Sequence, residues 1–129
     1  MASITVILNE FHLKLNEETR LLMEFNTKML NFFNFFERGD KHLSIELDVF
    51  AENLDVFDKK IGNFIKERLI IMQSIKKVAK KPSASLRDVD SLTQRIENLT
   101  KRGQILNLEA EIFFNESETI KEKYLNSKK

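Results

Sequence analysis

Apolar residues recur at alternating steps of three and four along almost the whole chain, and this repeat limits the fold more than any other feature. One run goes from Ile4 through Phe11, Leu15, Leu22 and Phe25 to Phe36, a second from Leu43 to Val78, and a third from Val89 to Tyr124. Of the 32 positions on these three seams 28 are hydrophobic, where a chain of 42% hydrophobic residues would place about 13 by chance. A spacing of 3.5 is the repeat of coiled coils and helix bundles. Only three glycines and one proline occur in 129 residues, too few turn formers for a sandwich, a barrel or a doubly wound sheet. The expected fold is therefore all-α: three long helices in an elongated antiparallel bundle, a coiled-coil-like rod forming one helical domain over 1–129.

The punctuation residues set the expected boundaries. Helix 1 spans about 4–37, with Ser3 as its N-cap, and Gly39 with Asp40 marks the stop and restart. Helix 2 spans about 41–81 and ends before Pro82, whose ring disfavours helical backbone at the preceding residue. A linker covers about 80–86, Ser85 and Asp88 fit a capping arrangement, and helix 3 spans about 86–125 before a frayed end. Folding back at Gly39 and near Pro82 makes facing residue numbers sum to about 79 and about 165 in an antiparallel bundle. That register puts Glu18, Gly62 and Gly103 in one layer, which is expected to weaken the middle of the bundle, and sets Arg68 near Glu97. Glu18 and Arg68 are the only charges on the seams.

Most chemical classes find no support in the residues. The chain lacks cysteine, and His12 and His42 have no metal-ligand spacing around them. No phosphate loop or nucleophile motif is present, so no catalytic, cofactor-binding or metal-binding residue is assigned and no enzyme is expected. The start, MASITVIL, lacks the basic flank of a signal peptide, and unbroken apolar runs reach only four residues, against about 20 for a membrane span. A cytoplasmic protein without membrane insertion is expected. A net charge of +1 gives no global field for nucleic acid. Lys76, Lys77, Lys80, Lys81 and Arg87 cluster at the linker, where cations complement a helix C-terminus. Eight of the eleven phenylalanines lie on the seams and read as core, while Phe32, Phe33, Phe35 and Phe36 make an apolar cap at one end, either closed core or contact surface.

Two helices carry signs of a partner. Residues 43–58 hold five acids and no base, whereas residues 59–81 hold eight bases and one acid, a polarity that lets two copies pair antiparallel. On the third helix the seam contains a row of small residues, Gly103, Ala110 and Ser117. Ile105, Leu108 and Ile112 form a second apolar stripe roughly 140° away at 100° per residue. A helix packed on one side has no use for such a stripe, so a protein partner or a second copy is expected to cover it.

Two long heptad helices joined by Gly39 and Asp40, Arg68 late in the second, and the segment RGQILNLEAEIFFN at 102–115 resemble the flagellar type III export chaperones of the FlgN-like family. The resemblance implies a cytoplasmic, non-enzymatic chaperone of bacterial flagellum biogenesis. It would bind the helical C-terminal segment of an exported hook-filament junction protein, and possible contacts with the export apparatus follow. Stripe and resemblance together assign partner binding to Ile105, Leu106, Leu108, Ala110, Ile112, Phe113 and Phe114. The competing expectation is a self-associating coiled-coil scaffold without cargo.

Overall fold

The computed structural model describes residues 4–36, 44–80 and 86–127, and these residues are helical nearly throughout. Helix α1 (Ile4–Glu10) continues through one π-helical stretch (Phe11–Leu15) into α2 (Asn16–Phe35), followed by α3 (Ser44–Lys80) and α4 (Leu86–Ser127). The backbone stays helical at both junctions, so α1, the π stretch and α2 form one rod. It ends where Phe36 turns extended (φ −84°, ψ 137°) and donates its N–H to the Phe33 carbonyl at 3.4 Å. At 1.5 Å per residue, α3 and α4 are about 55 and about 63 Å long. The expected capping and turn residues Ser3, Gly39, Asp40, Lys81, Pro82 and Ser85 lie outside the described residues.

Every described seam residue is buried or half-buried, so the 3.5 repeat does mark the core. One exception of register occurs in α1. The seam passes through Leu8, yet Ile7 is fully buried and Leu8 only half-buried. A π turn takes one more residue than an α turn, so stepping back by four from Phe11 and Leu15 keeps Ile7 on the core face.

The three rods are not equivalent. Helix α4 packs closely against α1, the π stretch, α2 and α3, while α3 approaches α1 but stands off from α2. Large side chains span that wider gap: Phe25 meets Phe57 edge-on at 5.5 Å, and Phe32 meets Phe50 at 5.1 Å. The end of the bundle is closed by Phe35 and Phe36 against Tyr124, at 5.5 and 4.9 Å. In the FFNFF segment Phe32 is thus core, while Phe33, Phe35 and Phe36 pack half-buried against it.

The middle layer forms only in part. Glu18 and Gly103 do meet: a Cβ on Gly103 would lie 3.0 Å from the Glu18 Cβ and 3.0 Å from two ring carbons of Phe64. The Asn107 amide donates to the Glu18 carboxylate and lies 3.2 Å from its carbonyl oxygen, which satisfies this polar group where the seam breaks. Gly62 does not join them. It faces the gap between α2 and α3, and a Cβ added there would have no neighbour within 4 Å. Arg68 forms no ion pair with Glu97 among the described residues. Its Nη2 donates to Asn16 Oδ1 at 2.6 Å, and its guanidinium lies 5.6 Å from the centre of the Phe11 ring. The π stretch sets Phe11 and Asn16 around it, so its partners across the bundle belong to the first rod and not to the third.

The two glycines therefore differ in energetic role. Gly62→Ala adds a methyl to open space and should stabilise the fold in dilute solution by about 1 kcal/mol through helix propensity. Gly103→Ala forces the Glu18 side chain or the Phe64 ring aside, an overpacking cost of about 1–3 kcal/mol that outweighs the same propensity gain. Urea denaturation at low protein concentration should shift the two midpoints in opposite directions; a shared direction contradicts this packing.

Candidate functional site

The length of α4 between residues 102 and 115 presents three faces. Its inward face is core: Leu106 and Ala110 are buried, and Phe113 stacks on Phe57 at 4.9 Å and contacts Phe25 and Phe50. A second face meets α2, where Phe114 lies half-buried under the Lys28 ammonium, 4.9 Å from the ring centre. Between them Ala110 lines an open cleft of about 290 Å³ together with Leu21, Phe25 and Asn107. The outward face carries Ile105, Leu108 and Ile112, which are 56, 61 and 67% exposed.

The seven residues expected to bind a partner thus divide. Ile105, Leu108 and Ile112 stand together in solvent as one stripe, spaced by three and four. Leu106 and Ala110 belong to the core, Phe113 is the aromatic bridge to α3, and Phe114 is the lip of the α2–α4 cleft. Leu106, Ala110 and Phe113 hold α4 in place, whereas the three stripe residues stand in solvent and Phe114 borders the open cleft against α2. The small row behaves similarly: Gly103 is filled by its neighbours, and buried Ser117 donates to the Phe114 carbonyl at 2.6 Å.

Ion pairs tie α4 to α3 along one edge of the stripe. Arg102 donates to Glu67, Lys60 lies 3.6 Å from Glu109, and Lys123 lies 3.2 Å from Glu46. Ile105 sits beside this edge, at a shallow hollow formed with Lys60, Asn63 and Arg102. The hydrogen bond from Arg102 holds the Glu67 carboxyl below its ordinary value and raises the Arg102 guanidinium above its own. These pairs position the stripe but do not bury it.

A second opening lies between α2 and α3. Met29, Leu30 and Phe33 face Leu54, Ile61 and Ile65 across a groove of about 430 Å³, with Gly62 and Asp58 along the α3 wall. Periodicity alone could not reveal it, because the seam residues on either side are ordinary core positions; the signal available was Gly62, a residue of poor helix propensity placed inside a helix.

Comparisons with protein families, curated proteins and solved structures give no match to this chain. Among the described residues no group of three or more His, Cys, Asp or Glu side chains could hold a metal ion. No helix among them is long and apolar enough to cross a membrane.

The Glu67–Arg102 pair makes a prediction about acid. A carboxyl with a lowered folded-state pKa stabilises the fold fully above its unfolded value, near 4.5, and that contribution is lost as pH falls through the folded value. Both side chains are about half exposed, so the effect is small. Urea midpoints of Glu67→Gln should lie slightly below wild type at neutral pH and converge with it in acid. A constant gap across the titration would mean that the carboxylate charge is not what holds the contact.

Proposed function

We propose that this chain is a non-enzymatic, protein-binding export chaperone that captures an amphipathic helix on the outward face of α4. The observation that carries the reading is the stripe of Ile105, Leu108 and Ile112, each more than half exposed on a helix whose opposite face is already filled. Helix-in-groove and helix-on-helix recognition use anchors at this spacing. Three exposed branched aliphatic residues at one-turn intervals have no role in the stability of the isolated bundle. They are suited to a partner that brings its own apolar face.

The resemblance to FlgN-like chaperones narrows the partner to the helical C-terminal segment of a hook-filament junction protein, held soluble in the bacterial cytoplasm until type III export. In this reading the rigid α1–α2 and α3 rods are a platform. Phe113 and the ion pairs to α3 orient α4 so that its stripe points outward.

Replacing Ile105, Leu108 and Ile112 by Ser tests this. Each side chain covered by a partner contributes about 2 kcal/mol, so the triple variant should bind the junction-protein C-terminal peptide at least about a hundredfold more weakly. Its helical circular dichroism and urea midpoint should stay close to wild type, since exposed positions change stability by about 0.5 kcal/mol or less. Unchanged peptide affinity in the triple variant, or wild-type protein that ignores the peptide, would sink the assignment.

A further inference from the structure

Helix α3 is divided electrically near its middle. Up to Asp58 it carries only acids, and from Lys59 to Lys80 it carries seven bases and the single acid Glu67. Gly62 is the midpoint of this 37-residue helix. It faces the α2–α3 groove, and a Cβ there would touch nothing within 4 Å.

We propose that a second copy of this chain docks in that groove, with the two α3 helices crossing antiparallel about a twofold axis at Gly62. In this arrangement, residues equally far before and after Gly62 on the two copies lie level. Asp58, four before, meets Lys66, four after; Asp48, fourteen before, meets Lys76, fourteen after. Steps of four and fourteen residues return to within about 40° of the Gly62 face at 100° per residue. Both pairs occur twice because the interface is isologous. None of these four side chains takes part in an ion pair within the chain among the described residues. A parallel pairing would instead set acids on acids and bases on bases, so charge selects the antiparallel copy.

One exposed apolar side chain follows the same register. Leu69, 50% exposed and seven residues after Gly62, lies on the same face and comes level with Asp55 of the other copy. That is the depth at which Met29, Leu30 and Leu54 line the groove. Each copy thus sets Leu69 against the groove of the other, among the charge pairs, and Gly62 allows the two backbones to approach on the axis. Burial and Asp55 hold the Asp58 carboxyl above its ordinary value, a cost that a lysine from the second copy relieves. Lys60 and Glu67, which face α4, lie on the opposite side of α3. The α4 stripe therefore stays open, and the dimer does not rest on the proposed function.

Sedimentation velocity should show a dimer of the 15.2 kDa chain that dissociates as salt is raised. The chain has no native cysteine, so Gly62→Cys places one thiol per copy at the axis. Oxidation should give a covalent dimer from Gly62→Cys and none from Leu108→Cys on the α4 stripe. Asp58→Lys should weaken dimerisation about tenfold, the equivalent of two surface pairs lost, and Asp58→Lys with Lys66→Asp should restore it. A chain that stays monomeric at every concentration overturns the proposal. So does a dimer that cross-links through Leu108→Cys instead, a double swap that fails to restore pairing, or a monomer whose groove takes up an amphipathic peptide.

Discussion

Close approach of α4 to the first rod at Gly103 is the constraint on which the remaining geometry depends. The Glu18 Cβ and the Phe64 ring both occupy the space that a side chain at Gly103 would fill. One helix can serve two neighbours only if it comes near both, and the missing side chain permits that. With α4 set between them, the first rod and α3 need not pack tightly against each other over their whole length. They meet at the α1 end and stand apart beside α2, where phenylalanines bridge the span.

Two surfaces follow from this arrangement. Because the inward face of α4 is filled by Leu106, Ala110 and Phe113, and Phe114 lies against α2, Ile105, Leu108 and Ile112 are left in solvent. Because α2 and α3 diverge, the walls between them stay open and the Cβ position of Gly62 is left without a neighbour. A bundle with every seam filled is stable through its core; apolar surface beyond the seams is better explained by other molecules. Most polar groups at the helix contacts are answered locally: Asn107 donates to Glu18, Thr100 donates to the Ile96 carbonyl at 2.7 Å, and Arg68 reaches Asn16 through Nη2, although its buried Nε has no partner among the described residues.

Much of this fold is legible in the sequence. The alternating steps of three and four identify the buried residues of all three helices, since a helical period projects directly onto one face. The same arithmetic isolates Ile105, Leu108 and Ile112 as a stripe, and all three are exposed. At Leu8 it fails, because a π turn alters the residue count per turn and leaves no mark in hydrophobicity. Arg68 escapes it for another reason: register sums place a residue at a level but do not say which of two neighbours its long side chain reaches. Leu106, Ala110 and Phe113 adjoin the stripe in sequence and so read as part of one binding surface, although 100° per residue sends them to the other side of the helix.

Helicity, the inward face of each helix and the change of charge sign near the centre of α3 can all be read from residue order. Those properties are local: they depend on residue type and on a repeat that any helix must project the same way. That α4 is the shared helix, that the space at Gly103 is filled while that at Gly62 is empty, and that a groove opens between α2 and α3 emerge only once the rods are packed. These features depend on distances between rods, which are set by the sizes of side chains brought together from distant parts of the chain.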